Sequence, residues 1–491
     1  MQFIKKFFFL LFFIVFSFQT VYPSKIENIK NLTISEAVSL AIKHNRDIIL
    51  STLSRVSDKL GLIEAKDNFN IHSNLSISSE YRREYLKHSN SNDEREYSAK
   101  IEANKIYKTG GSITTSYSLI RVSGNFDSNY NSAATISFSQ PLLKGFGRRI
   151  ATASLISAKI SDNVSIRNYE NSISYIILQT INAFRNLVVA QKQFEIVKRS
   201  LRLSEKLIKI NKELVSAGKL AEIDLVETKA DLISNKIQLL SAKNMLENAQ
   251  LELIKLLGLN PKIKIKVVPE KLKILKISKK RVVSTTFTNR QDYLNALDSL
   301  KLSEISYDVA KNNLLWDLRL NASLSSTGED KTKVNEAFTE PFTGKNWDFK
   351  AGVVLNIPLS KVVLKTSLIR AKNELLSRKI WIKQLKDNIM SDIRNILFQI
   401  NTAKLQIEQA KALYEVSKKK VDAEIEKYKV GKTNNFQLLS YKNQLVQSEI
   451  DLLSSKIKYM NLITLLENKE GILYKKWQNF MPQKIKSLME N

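Results

Sequence analysis

Residues 154–159 read Ser154-Leu155-Ile156-Ser157-Ala158-Lys159, and residues 367–372 read Ser367-Leu368-Ile369-Arg370-Ala371-Lys372, an offset of 213. At that offset a seven-residue ladder of Leu187, Phe194, Leu201, Ile208 and Val215 maps onto Ile400, Ile407, Tyr414, Val421 and Tyr428. Gly218 then maps onto Gly431, where each ladder stops. Apolar residues at heptad spacing form the seam of packed helices. Two ladders that keep one phase for about eight turns and end on the same glycine are two copies of one unit. The chain reads as an internal tandem of two long helical hairpins.

Composition narrows the function classes. The 491 residues include no Cys, which excludes disulfides, Cys-ligated zinc, a Cys nucleophile and a lipid-modified N-terminal Cys. The three His (His44, His72, His88) are scattered, so no metal site or catalytic dyad is expected, and no cofactor. No Ser/His/Asp set, Gly-rich phosphate loop or metal spacing points to an enzyme. The formal charge of +29 is spread along the chain without a nucleic-acid-binding motif, so the Lys are read as solvated helix faces. Only 13 Gly and 7 Pro suit long uninterrupted helices.

Residues 1–24 read as a signal peptide. Lys5 and Lys6 precede an apolar run from Phe7 to Phe18, which at about 12 residues is too short to span a bilayer but suits a secretory core. No later run of 18 apolar residues is apparent. A secreted chain of this kind is periplasmic, extracellular or part of an outer-membrane barrel.

The first repeat is placed at 25–260. A helix over 35–68, capped by Thr33 or Ser35, leads into a β block at 71–141 with strands at 71–85, 95–107, 113–122 and 133–139. Loops fall at 86–94 and 123–130, and Pro141, which cannot donate to a ladder, ends the block. A long helix over 150–216 spans roughly 100 Å at 1.5 Å per residue. A return helix covers 222–257, with Asp224 in its first turn and Gly258 as its C-cap. A connector at 261–280 precedes the second repeat at 281–468. That repeat has a β block at 318–357 (strands 318–327 and 347–357, loop 328–346), a long helix at 362–429 and a return helix at 434–467. Pro358 echoes Pro141, and the tail at 469–491 is read as peripheral.

The offsets locate an insertion. Ala65-Lys66-Asp67-Asn68 recurs as Ala310-Lys311-Asn312-Asn313 at 245, whereas the two prolines lie 217 apart. The first β block therefore carries 28 extra residues, the size of the hairpin near 95–122. Helix 35–68 and the return helix together match the long helix in length, which implies a uniform coiled-coil rod with the strands at one end. The fold class expected is mostly α with a β-barrel portion: antiparallel coiled-coil hairpins in two repeats, plus strands that close a barrel only when several copies pool them. A secreted coiled-coil structural protein or adhesin is the alternative. It would explain the helices but not the paired β blocks.

The chain resembles the TolC-type outer-membrane efflux proteins. The resemblance rests on Leu32-Thr33-Ile34-Ser35-Glu36-Ala37-Val38-Ser39-Leu40-Ala41 with Asn45-Arg46-Asp47, on Gln140-Pro141-Leu142-Leu143-Lys144-Gly145-Phe146-Gly147, and on Ala217-Gly218 and Val430-Gly431 at the hairpin tips. It implies a homotrimer with a barrel in outer-membrane lipid and a periplasmic helical tunnel. It further implies docking at the tips by Gly218 and Gly431 to a periplasmic adaptor and an inner-membrane RND, ABC or major-facilitator pump. The chain would be a passive exit duct for small molecules or proteins. It also implies a periplasmic gate in which Tyr428 bonds Asp224. Thr433 stands where the family carries a basic latch residue, and Gln437 and Ser440 where it carries an acidic ring. Those departures imply an entrance that is closed less tightly and is less cation-selective. The family's usual four strands per chain imply 12 in a trimer, with the extra hairpin decorating the barrel or its rim.

Overall fold

A computed structural model describes residues 29–84, 92–124, 128–218, 220–430 and 432–480. The signal peptide at 1–24 lies outside the described residues, as do most of the loop at 86–94, Gly431 and the end of the tail. The described chain divides into two compact units. The first holds the described residues up to Thr52, then Tyr169–Arg290 and those from Ile389 onward; the second holds Leu53–Asn168 and Gln291–Asn388.

The first unit begins with β1 (Ile29–Leu32) and α1 (Ile34–His44). Thr33 caps α1 through a reciprocal box. Its backbone N–H donates to Glu36 Oε2 at 2.8 Å and its hydroxyl accepts from the Glu36 N–H at 3.3 Å. The helix expected over 35–68 is two helices, α1 and α2 (Arg46–Asp67), because Asn45 adopts an extended ψ of 129°. The Asn45 side chain accepts from the N–H groups of Asp47 and Ile48, capping α2, and donates to Leu256 O at 2.9 Å. Asparagine does this readily because its amide competes with the helical ladder.

The long helix α4 (Ala153–Ser216) follows a single-turn α3 (Arg148–Ala151), and α5 (Glu222–Leu257) returns. An 18-residue window of α4 is apolar enough to cross a membrane, but 67% of it is buried, as befits a core helix. The connector contains an element the sequence did not reveal. Strand β6 (Ile265–Val267) pairs in parallel with β1, putting Leu32, Ile265 and Val267 beside Phe184, Leu187 and Leu253 in one buried cluster. Next along the chain come α6 (Lys279–Asn289), then α7 (Gln291–Asn312) in the second unit, then α9 (Val362–Lys429), whose first part up to Asn388 is also counted there, and α10 (Asn435–Lys469) and α11 (Leu473–Trp477), with α8 described below. The tail is not peripheral: Leu473 and Tyr474 are buried against Ile42, Ile48, Tyr169 and Ile177.

The tandem repeat is visible in one recurring contact. Gly258 sits at φ +66° where α5 ends, and a Cβ there would lie 2.2 Å from His44 O. Gly471, 213 positions on, has φ +73°, and its Cβ would lie 2.5 Å from Asn289 O. His44 and Asn289 are the last residues of α1 and α6. In each repeat a glycine lets the end of the return helix touch the end of the short one.

The ladders themselves are unequal. Ile400, Ile407, Val421 and Tyr428 are buried in α9, but in α4 only Leu187 of its ladder is buried. The fully covered line of α4 is Ala190, Val197, Ser204 and Asn211, offset by three residues and half polar.

The second unit carries one six-stranded antiparallel sheet. Its strands are β2 (Ile71–Glu84), β3 (Asn92–Ile106), β4 (Ser112–Ser123), β5 (Ser128–Pro141), β7 (Asp317–Asp330) and β8 (Trp347–Asn356), in that spatial order. Every strand expected in the sequence is present. The hairpin expected to decorate the barrel or its rim instead forms β3 and β4, paired along their lengths within the sheet. The 328–346 loop is also more ordered than expected. It holds α8 (Val334–Thr339) and a 3₁₀ turn at Glu340–Phe342, with Ala337 and Pro341 buried over Gly328.

Pro141 ends β5 opposite Arg319, and the turn beyond it is fixed by backbone bonds. Leu142 N–H donates to Leu318 O at 2.7 Å, and Gly145 N–H to Asn312 Oδ1 at 2.8 Å. Pro358 lies two residues past β8, before α9 begins.

Candidate functional site

Paired residues share a face of a sheet and successive residues alternate. The register therefore sorts all six strands into two faces. One carries Ile71, Leu75, Ile77 and Tyr81 of β2, Tyr97 and Ile101 of β3, and Ile113, Tyr117 and Leu119 of β4. It continues with Ile136 and Phe138 of β5, Leu320 and Leu324 of β7, and Trp347, Phe349, Val353 and Leu355 of β8. The opposite face carries Asn74, Ser76, Ser78, Ser98, Glu102, Ser116, Ser118, Ser137, Asn321, Ser323 and Lys350. Short polar bonds lace that face: Ser78 to Ser98 at 2.7 Å, Thr114 to Asn104 at 3.2 Å and Ser139 to Asn321 at 2.8 Å.

The apolar face is not buried. Ile77 is 77% exposed, and all ten residues of β8 are exposed. A water-exposed apolar sheet of this extent would aggregate, so its solvent is something other than water. The ten residue steps from Ile71 to Tyr81, at roughly 3.3 Å each and tilted about 40°, cover about 25 Å, the height of the apolar band of a membrane barrel. Aromatic residues mark its loop-end rim. Tyr81, Tyr97, Tyr130 and Trp347 lie there, with the Arg83 and Arg95 guanidinium groups 5.9 Å from the Tyr81 ring and Arg121 5.5 Å from Tyr130. Phe338 and Phe342, beside Tyr117, extend the same apolar surface.

The band also runs obliquely to the hydrogen-bond rows. The row of Leu75 passes through Ile101, Tyr117, Ala134 and Ser326 to Trp347, so the aromatic rim drops six residues between Tyr81 and Trp347. The row of Ile71 ends at Ala351, four residues from Leu355 on the lower rim. Drifts of four to six residues over five interstrand steps of roughly 4.8 Å correspond to strands tilted by about 30–40°.

In the first unit the hairpin tips form a second polar arrangement. Asn211 of α4 is fully buried. It donates to Thr228 Oγ1 at 2.6 Å and to Asn435 Oδ1 at 3.1 Å, and accepts from the Tyr428 hydroxyl at 2.6 Å. The Tyr428 hydroxyl thus goes to Asn211 and not to Asp224, contrary to the pairing that the resemblance implies. Burial pushes the Tyr428 pKa up, the Asn211 bond opposes this, and the Asp224 charge adds to the rise. The Asp224 backbone carbonyl accepts from Thr228 and Asn435.

Thr433 donates to the buried Glu424 carboxylate, Gln437 donates its backbone N–H to the cap Asn434, and Ser440 is exposed. Gly218 turns the first tip at φ +68°. Ile223, Val226, Val430 and Phe436 stand around the tips, each more than half exposed.

Seven residues along each helix lies a second polar layer of Ser204, Asn235 and Lys442, joined by Asp231. Lys442 Nζ lies 2.5 Å from Asp231 Oδ2 and 2.7 Å from Ser204 Oγ. Asn235 donates to Ser204 at 3.2 Å and accepts from Ser200 at 2.8 Å. Among the described residues no group of three or more His, Asp or Glu could hold a metal ion.

Residues 108–259, from the end of β3 to the end of α5, match the family described as outer membrane efflux protein. Solved structures extend the likeness to almost the whole chain. It is similar over 92% of its length to 90% of the Campylobacter jejuni CmeC outer membrane channel, at 17% identity and a TM-score of 0.67. The Vibrio cholerae outer membrane protein VceC matches with 89% and 96% coverage, 13% identity and a TM-score of 0.67. The open state of the Neisseria gonorrhoeae MtrE outer membrane channel matches with 90% and 89% coverage, 16% identity and a TM-score of 0.65. No curated protein matches the chain by sequence. The chain shares the fold of these outer-membrane channels.

Tyr428 is legible in the sequence; its partner Asn211, the Thr228 and Asn435 bonded to Asn211, and the Lys442–Asp231 layer are not. A signal for them existed. Ser204 and Asn211, Thr228 and Asn235, and Asn435 and Lys442 are polar pairs seven apart, the coiled-coil repeat carried by the wrong chemistry for a core.

Proposed function

We propose that this protein is the passive exit duct of a tripartite efflux or type I secretion machine. Three copies pool their sheets into one outer-membrane barrel, with the apolar face on lipid and the polar face on the lumen. Their helical hairpins enclose a periplasmic tunnel. The observation that carries this reading is the sheet: one face apolar and exposed, the other polar, a membrane-high band, and, among the described residues, both edges unpaired. An isolated sheet of this kind has no stable solvent, whereas closure with further copies gives each face its own.

The tips by Gly218 and Gly431 dock a periplasmic adaptor, for which exposed Ile223, Val226, Val430 and Phe436 supply apolar contact. An inner-membrane pump of the RND, ABC or major-facilitator type provides the energy. Tyr428, Asp224, Thr433, Gln437 and Ser440 belong to the periplasmic gate, in which the buried Asn211 is the acceptor of the Tyr428 hydroxyl. The entrance lacks a basic latch at Thr433 and acidic side chains at Gln437 and Ser440, which makes it weakly cation-selective.

The test is loss of export. A strain lacking this chain is expected to retain the pump's substrates, with inhibitory concentrations of several unrelated drugs, or secretion of a protein cargo, falling several-fold and restored by the gene. Unchanged susceptibility and secretion, together with protein recovered outside the outer membrane, would refute the assignment.

A further inference from the structure

We propose that each copy contributes six strands to the barrel wall, so that three copies close an 18-stranded pore with β8 of one copy beside β2 of the next. This rests on the outer-membrane duct reading and goes beyond it by fixing what the inserted hairpin is for. The second repeat builds two strands, β7 and β8, and the first builds four. Removing the 28-residue surplus leaves β2 and β5, hence four strands per copy and 12 in a trimer. The inserted pair, β3 and β4, is the difference.

Three observations make β3 and β4 wall. They pair with both neighbours in continuous register, β3 with β2 from Lys105 to Asn92 and β4 with β5 from Ser112 to Ser123. They repeat the two-faced pattern, Ile101 and Leu119 on the apolar side against Glu102 and Ser118 on the polar side. They also sit within the oblique aromatic rim, since Tyr97 of β3 lies in it between Tyr81 and Tyr130. A hairpin standing outside the membrane would need none of these, and its apolar side would face water.

Closure is consistent in direction. Six strands are an even number, so β2 and β8 run antiparallel to one another, and each edge of one copy can pair with the opposite edge of the next. Six strands cannot close alone, since membrane barrels begin at 8. With strands roughly 4.8 Å apart and tilted about 30–40°, 18 strands give a barrel about 32–36 Å across, and 12 give about 21–24 Å. The chemistry of the inner face, Ser, Asn and Thr with mixed Glu and Lys, makes this mouth wet and weakly selective. It does not sort the cargo.

The test uses single cysteines introduced into the full chain, which has no native Cys. The variants Ser118→Cys and Leu119→Cys on β4, and Ser323→Cys and Leu324→Cys on β7, are reacted in the native outer membrane with a charged maleimide and with a lipid-soluble one. Expected is strict alternation on both strands: the serine positions label with the charged reagent, and the leucine positions with the lipid-soluble one alone. The particle is then imaged by electron microscopy in lipid discs, where a barrel of about 32–36 Å is expected. Alternation on β7 with uniform aqueous labelling on β4, or a barrel of about 21–24 Å, would overturn the proposal and leave the duct standing. Loss of alternation on β7 as well would overturn the duct reading itself.

Discussion

Truncating Asp231 tests the second polar layer at its centre. Lys442 is 2% exposed and Asp231 8%, and the ammonium has two oxygen partners, Asp231 Oδ2 at 2.5 Å and Ser204 Oγ at 2.7 Å. Asp231→Ala leaves a buried charge with one neutral acceptor, which costs about 3–5 kcal/mol. Replacing both partners by apolar groups of similar volume, Asp231→Leu with Lys442→Met, removes the charge and its desolvation together and is expected to be neutral within about 2 kcal/mol.

Native-state hydrogen exchange of the α5 amides around Asp231 reads the local opening free energy directly. The single variant should speed exchange by roughly two to three and a half decades, and the double variant by far less. Burial holds the Lys442 pKa below its ordinary 10.5, and Asp231 only partly opposes this. Above the lowered pKa the unfolded chain binds more protons than the folded one, so stability rises as pH climbs from there towards 10.5 and levels off beyond. Lys442→Met should abolish that rise. Equal acceleration in the single and double variants would refute the reasoning, because it would mean that packing and not an unpaired charge sets the cost.

Other consequences can be read in the same protein. Tyr428→Phe strands the buried Asn211 Oδ1 and should cost about 1–3 kcal/mol, seen as faster exchange at the tip amides; unchanged exchange would remove Tyr428 from the network. Leu324→Arg should destabilise the assembled barrel by about 2–4 kcal/mol while its neighbour Ser323→Arg is tolerated, read as the fraction of protein resisting heat in detergent gels. Gly258→Ala forces a Cβ 2.2 Å from His44 O at a positive φ and should lower the melting temperature, whereas Gly61→Ala, with open space and helical backbone, should raise it slightly. Burial pushes the Glu470 carboxyl pKa above its ordinary 4.5, so its contribution is present below pH 4.5 and is lost as pH rises through the raised value; Glu470→Gln should flatten that loss in pH-dependent melting curves.

Much of the architecture was legible because helices of this length leave a periodic record. Gly218 and Pro141 sit where apolar periodicity stops, and Gly258 ends α5 as read. The strands were legible from alternation even in a serine-rich block. Four features escaped. The break at Asn45 is invisible to hydrophobic periodicity, because α1 and α2 continue one apolar stripe and only the side-chain bonds to Asp47 and Ile48 mark the boundary. The β1–β6 pair joins segments more than 200 residues apart, and strands of four and three residues carry no pattern of their own. Tail burial depends on Leu473 and Tyr474 finding a site formed by α1, α2 and α4, which no local signal encodes. The polar layers were missed because a search for apolar ladders passes over Ser204 and Asn211, although these are among the most buried residues of α4. The hairpin's place in the sheet is hidden for a related reason: the offset gives its length, whereas its place follows from a two-faced alternation shared with its neighbours.

Single-channel conductance of the purified protein in a planar lipid bilayer tests the central claim most directly. Discrete, long-lived unitary steps with weak cation preference, growing in Tyr428→Phe, are the predicted result. Folded protein that inserts without any unitary conductance would contradict it.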